Sequence, residues 1–287
     1  MSQAHTLPRY AVIGNPVAHS RSPQIHAIFS AQTGKPLQYE PLLAPLDGFA
    51  ATVQAFKEHG GMGLNVTVPF KEEACQLAGA RLSERARLAG AVNTLWLRDG
   101  AWHGCNTDGV GLVADLLRLG VVLEGARVLL AGAGGAARGV LGPLAGAGCA
   151  RIHIVNRSAQ RAHDLAAGWA QAGCWPGTQV TAGPLAEAGV AGGWNVVINA
   201  TASGLQGAAP DLPYGLYAPD ALAYDMMYSA HPTAFMRQAT KDGAARTADG
   251  LGMLVGQAAE SFFIWHGVRP DPSPVLATLR AALLAKD

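Results

Sequence analysis

Charged side chains are scarce in this sequence: Asp, Glu, Lys and Arg make up 14% of its 287 residues, and the formal net charge is +1. It therefore lacks the basic excess that contact with a phosphate backbone requires, which argues against nucleic acid as a partner. Long hydrophobic runs are missing too. The opening MSQAHTLPRY has no apolar core of a secretion signal, and no stretch reaches the uninterrupted apolar length of a membrane span. Cysteine is limited to Cys75, Cys105, Cys149 and Cys174, widely spaced and without a CxxC pair. That spacing fits a reducing, cytoplasmic compartment better than a disulfide framework or a zinc site. The nine histidines are equally scattered, so no metal site is assigned. What remains is a globular, enzyme-like composition. It is 49% hydrophobic, in a chain long enough for two domains that each bury a core.

Strand-like and helix-like stretches alternate along the chain. YAVIG at 10–14 leads to a helical stretch from Pro23, and GLNVTV at 63–68 leads to a helix through Ala78. NTLWLR and AWHGCN flank an Asp-Gly pair, so residues 93–106 read as a hairpin with a two-residue turn. From about Asp108 the pattern becomes regular. Apolar runs at 127–131, 151–155, 195–199 and 222–226 are separated by helical or loop stretches, the signature of a parallel sheet wound by crossover helices. The tail adds a helix from near Leu251, with Leu254, Val255, Ala258, Phe262 and Phe263 on its apolar side. A last helix begins at Ser273-Pro274, where Ser suits the N-cap. The expected fold class is α/β, with two α/β domains meeting in sequence near Asp108.

RVLLAGAGGAARG is a short apolar strand, a glycine turn and a helix start, in the order a dinucleotide site needs. Gly132 allows the tight turn, Gly134 lets backbone approach a pyrophosphate, and Ala137 takes the small position that packs helix on strand. Alone, the cluster serves equally as a plain strand-to-helix turn. The next strand adds to it. An NAD site places an Asp or Glu roughly 20 residues on, to bond the ribose 2′-hydroxyl. Here Asn156 stands in that place, followed by Arg157, Ser158 and Arg161. A carboxylate repels a 2′-phosphate, whereas guanidiniums and a hydroxyl attract one. The arginines could instead line a solvated loop; their coincidence with the missing acid favours NADP.

Polar residues also gather where apolar stretches end. Ser20 and Ser22 lie two apart, on one side of an extended segment, although Ser22 also suits a helix N-cap before Pro23. In NVTVPFKEE, Asn65 and Thr67 alternate with Val66 and Val68, and Lys71 then opposes the preference of a helix start for acids such as Glu72 and Glu73. Asn93, and then Asn106, Thr107 and Asp108, read singly as turn chemistry. Together with Asn65, Thr67 and Lys71 they supply donors and acceptors near strand ends, a set suited to a small polyhydroxylated molecule. Lys71 also has the plainer reading of a surface lysine whose stem covers the helix start.

GNPVAHSRSP, NVTVPFKE, AGAVNTL, NTDG, GAGGAAR, VNRS, NATASG, YDMMYS and DGLGMLVGQAAESF, in this order from Gly14 to about Gly267, resemble the shikimate dehydrogenase family. The resemblance implies two α/β domains facing a cleft: residues 1–107, completed by 251–287, for substrate, and a Rossmann-type domain at 108–250 for NADP. It implies the NADPH-linked reduction of 3-dehydroshikimate to shikimate. It makes Lys71 and Asp108 the catalytic pair, gives the substrate carboxylate to Ser20 and Ser22, and gives the ring hydroxyls to Asn65, Thr67, Asn93, Asp108 and Gln257 with Tyr228 nearby. On the cofactor side it implies Gly132, Ala133, Gly134, Gly135 and Ala136 for the pyrophosphate. Asn156, Arg157 and Ser158 fall to the 2′-phosphate and Thr201 and Met226 to the nicotinamide side, with Arg161 and Gly250 counted among the cofactor residues. Ser158 stands where threonine is commoner, Ala137 where serine is, and Cys105 where an aromatic is frequent. Quinate or an amino analogue as substrate, a catalytically silent NADP sensor, and a monomer or a homodimer all remain open at this stage.

Overall fold

The computed structural model describes residues 7–173 and 175–285, so Cys174 lies outside the described residues. In chain order the elements are β1 (Arg9–Gly14), α1 (Ser22–Thr33), β2 (Gln38–Leu43), α2 (Phe49–Glu58), β3 (Gly61–Val66), α3 (Lys71–Ala78), α4 (Glu84–Ala89), β4 (Thr94–Arg98) and β5 (Ala101–Cys105). Then come α5 (Asp108–Arg118), β6 (Arg127–Ala131), α6 (Gly135–Gly146), β7 (Arg151–Asn156), α7 (Ala159–Ala172), β8 (Gln179–Pro184), β9 (Trp194–Asn199), β10 (Tyr217–Asp225), α8 (Ala234–Lys241), β11 (Arg246–Asp249), α9 (Leu251–His266) and α10 (Pro272–Leu284).

The chain divides into two compact units: the first runs to Thr107 and adds Gln257–Val275, and the second joins Asp108–Gly256 to Leu276–Asp287. The first holds a sheet in the order β2-β1-β3-β4-β5. β1 runs parallel to β2 and β3, and β4 antiparallel to β3 and β5. The hairpin between β4 and β5 turns on Asp99 (φ 51°) and Gly100 (φ 73°). Two successive positive φ angles are what a type I′ turn demands, and an Asp-Gly pair meets that demand with little strain. Ala11, Ile13, Leu64 and Val66 of this sheet pack with Phe49, Val53 and Phe70. On α9, buried Glu260 pairs with Arg85 at 2.9 Å and Arg269 at 2.8 Å, which ties α4 to that helix.

The second unit's sheet is parallel throughout, in the order β11-β10-β9-β6-β7-β8. Its first strand, β6, is central; the chain winds outward through β7 and β8, then returns to β9 and winds the other way. Between β6 and β9 the direction of winding reverses, and open sheets of this type bind ligands beyond the strand ends at that point. Val128, Leu130, Ile152, Ile154, Val196 and Ile198 pack on one face and Leu129, Val155, Val197 and Ala223 on the other. Burial of both faces is why these strands read as unbroken apolar runs.

Three local readings are corrected. Ser22 is the first residue of α1, not its cap: Arg21 holds the cap position without a side-chain bond, and Ser20 Oγ accepts the Ser22 N–H at 3.2 Å. The serine segment is not extended, since Arg21 between the two serines has φ −84° and ψ −10°. At α10 the Ser273 N–H is taken by Asp271 Oδ1 at 2.9 Å, because a carboxylate two residues ahead is the better acceptor. The tail also divides otherwise than expected, with residues up to Gly256 and from Leu276 in the second unit. Gly252 and Gly256 of α9 press on α5, where a Cβ on Gly252 would stand 2.0 Å from Asp115 Oδ1. Arg280 of α10 holds Asp249 through two hydrogen bonds.

Candidate active site

In the first unit, strand ends and the second half of α9 gather amides and hydroxyls into one buried network. Asn65, on β3, accepts at Oδ1 from the Tyr39 hydroxyl at 2.7 Å and meets His26 Nε2 at 3.1 Å. Its Nδ2 donates to Ser261 Oγ at 3.0 Å. Asn93 accepts at Oδ1 from the Thr107 N–H at 2.8 Å and from Thr94 Oγ1 at 2.9 Å. Its Nδ2 donates to Thr107 Oγ1 at 3.0 Å and to Gln257 Oε1 at 2.8 Å. Asn65, Asn93 and Gln257, chosen from three separate motifs, thus share a network, and Gln257 turns inward rather than to solvent. Thr67 follows β3, half-buried, and Lys71 is the half-buried first residue of α3.

Burial dominates the electrostatics here. It drives the His26 imidazole down to about 3, against a raising hydrogen bond from Asn65 and with the His266 charge lowering it further, so the ring stays neutral at ordinary pH. It drives the Tyr39 phenol well above its ordinary range, a shift that a hydrogen bond with Ser22 opposes. His26, Tyr39, Thr94 and Ser261 were not singled out from the sequence. His26 and Ser261 sit among apolar neighbours on their helices, and Tyr39 lies in a strand whose pattern is weak.

In the second unit, the turn from β6 into α6 fits a dinucleotide pyrophosphate. Gly132 has φ 120°, and a Cβ there would lie 2.9 Å from the Ala200 carbonyl. Only glycine fits both constraints. A Cβ on Gly134 would meet nothing within 4 Å, which leaves its backbone open to a ligand at the start of a 12-residue helix. Ala137 is buried in the helix-on-sheet core. At the end of β7, Asn156 Nδ2 donates to the Ser158 carbonyl at 3.0 Å, shaping the loop that carries Arg157 and leads into the first turn of α7, where Arg161 sits. Both arginines and Ser158 are exposed, and neither guanidinium has an ion-pair or hydrogen-bond partner among the described residues. A pair of unpartnered cations where an acid would exclude a 2′-phosphate fits NADP.

Beyond β9 and β10 lies a polar cluster whose anchors the sequence reading missed. Buried Asn199 accepts at Oδ1 from Thr201 Oγ1 at 2.7 Å and donates Nδ2 to Asp225 Oδ1 at 3.1 Å. Asp225 also accepts from Thr233 Oγ1 at 2.6 Å and the Met227 N–H at 3.1 Å. Burial pushes its carboxyl up, while these donors oppose that shift. The cluster sets the backbone of Thr201 and Met226, and the Met226 N–H donates to the Asn199 carbonyl at 3.0 Å. A Cβ on Gly250 would stand 2.2 Å from the Met226 carbonyl, so glycine is required there by close approach. Asn199 and Asp225 were visible as the polar residues that end two apolar runs. Tyr228 is half-buried in the second unit, and Asp108, buried, opens α5.

Three family models match the chain in order: shikimate dehydrogenase substrate binding domain over residues 12–95, shikimate / quinate 5-dehydrogenase over 116–205, and shikimate 5'-dehydrogenase C-terminal domain over 250–280. A Bordetella petrii protein named shikimate dehydrogenase (NADP(+)) is 90% identical over 287 residues, covering 100% of both chains. The chain belongs to the shikimate dehydrogenase family. A solved relative is shikimate 5-dehydrogenase from Thermus thermophilus, in complex with NADP(H) and shikimate. It is 35% identical with a TM-score of 0.83, covering 96% of this chain and 99% of that one. The ligand-free 5-ketofructose reductase of a Gluconobacter strain matches at 31% identity and a TM-score of 0.85, covering 97% of this chain and 100% of that one. One architecture thus serves reductases named for different substrates, so substrate choice rests on side chains rather than on the shikimate dehydrogenase fold.

Proposed function

We propose that the protein catalyses the reversible NADPH-linked reduction of 3-dehydroshikimate to shikimate, a step toward chorismate and the aromatic amino acids, in the cytoplasm. The full-length 90% identity to a protein named shikimate dehydrogenase (NADP(+)) carries this reading. The reduced thiols of Cys105 and Cys149 suit a reducing compartment.

Ser20 and Ser22 hold the substrate carboxylate, and Asn65, Thr67, Asn93, Gln257 and Tyr228 hold the ring hydroxyls. Gly132 to Ala136 cradle the pyrophosphate, and Asn156, Arg157, Ser158 and Arg161 bind the 2′-phosphate. Thr201, Met226 and Gly250 stand on the nicotinamide side. When bound, NADPH supplies the hydride. Reduction of a ketone places negative charge on its oxygen, and Lys71 Nζ delivers a proton there; in the reverse direction the lysine takes it back. Asp108 is the other member of the catalytic pair.

Product analysis tests the reading. NADPH and 3-dehydroshikimate should disappear in equal amounts as shikimate forms; no consumption of NADPH in their presence would overturn it.

A further inference from the structure

The orientation of the Asn65 amide follows from a proton count. Ser261 Oγ has one proton, and it goes to the Gln257 carbonyl at 3.0 Å or to Thr94 Oγ1 at 2.7 Å. The same edge of Asn65 lies 3.4 Å from the Asn93 carbonyl, which only accepts, so Nδ2 faces Ser261 and Asn93 and Oδ1 faces the opposite side. On that side stand the Tyr39 hydroxyl and His26 Nε2, and both must donate because an amide oxygen only accepts. His26 is thereby fixed as the neutral Nε2–H tautomer.

The remaining His26 nitrogen, Nδ1, is buried without a hydrogen-bond partner among the described residues. The ring is fully buried and stacks on Tyr39 with centroids 4.4 Å apart and planes at 10°. An orphaned ring nitrogen in a core is costly, and a histidine that only filled space would gain nothing by it. Tyr39 spends its single proton on Asn65.

We propose that Tyr39 is a positioning residue: with His26 it locks the Asn65 amide in one orientation toward the substrate ring. The inference rests on the reading of Asn65 as a substrate-binding residue. With Tyr39 and His26 both donating to Oδ1, the amide meets a ring hydroxyl through Nδ2, the edge that also reaches Ser261 Oγ, and this sets which hydrogen-bonding pattern the pocket accepts.

Steady-state kinetics on Tyr39→Phe, Asn65→Ala and the double variant, with thermal melts to confirm folding, test the inference. Tyr39→Phe should raise the KM for shikimate about three- to tenfold, the effect of one lost hydrogen bond, with kcat changed less and the KM for NADP unchanged. In the Asn65→Ala background the same substitution should change the shikimate KM less than about twofold, since its effect runs through Asn65. An unchanged KM in Tyr39→Phe, or the same fold-change in both backgrounds, overturns the inference. His26→Gln and His26→Phe give a second test. The glutamine amide can still donate to Oδ1 and should stay nearer the wild-type KM than phenylalanine; equal KM values would contradict the lock. Wild-type turnover separates the claims: without turnover of shikimate both fall, and with it a wild-type-like Tyr39→Phe removes this inference alone.

Discussion

Lys71 opens α3, where the helix end favours anions, and Glu72 and Glu73 follow it in the same first turn. A cation kept against that preference has a use, and the proposed one is proton transfer. Lys71→Ala should lower turnover by about two orders of magnitude or more, with NADPH affinity nearly unchanged. Near-normal turnover would remove Lys71 from the mechanism. Gln257→Ala should raise the KM for shikimate and leave that for NADP alone, because the Gln257 side chain belongs to the Asn93 network. Arg157 and Arg161 are the proposed contacts to the cofactor's 2′-phosphate. Replacing both with Ala should raise the KM for NADP about tenfold or more, since charge-assisted phosphate contacts are lost, and should leave the KM for NAD within about twofold. Equal losses for the two cofactors would assign the arginines to a solvated loop. Residues like these were legible because they sit in polar motifs at the ends of apolar runs. Tyr39 and His26 were not, since their donors act only after β2, β3 and α1 have come together.

At the scale of elements, legibility follows burial. β6, β7 and β9 are covered on both faces, and their apolar runs gave their positions to within a residue. β2, β8 and β11 lie at sheet edges, half-exposed and short of apolar residues, and β2 carries Pro41. An edge strand tolerates proline and polar side chains, so its pattern carries little signal. The packing of α1 on the sheet has a consequence in acid. His26 titrates at about 3 when folded and near 6.5 when unfolded, so between those values the unfolded chain binds a proton that the folded chain refuses. Stability therefore rises with pH across that window and is lost as pH falls through it, with a slope approaching about 1.4 kcal/mol per pH unit from this group. Urea unfolding across the window should show the loss in wild type and a shallower slope in His26→Gln; identical slopes would contradict the burial argument.

For the molecule as a whole, the residues proposed for substrate and for cofactor are divided between the two compact units. Ser20, Ser22, Asn65, Thr67, Lys71, Asn93 and Gln257 fall in the first, whereas the glycine turn, the arginine loop and the Asn199–Asp225 cluster fall in the second. The central claim is that these sets specify shikimate and NADP together. Its most direct test is kcat/KM, from initial rates with purified protein, for shikimate or quinate, each with NADP or NAD. The expected result is one dominant value, for shikimate with NADP. A dominant value for quinate would contradict the assignment of the polar network to shikimate, and a dominant value with NAD would contradict the arginine loop.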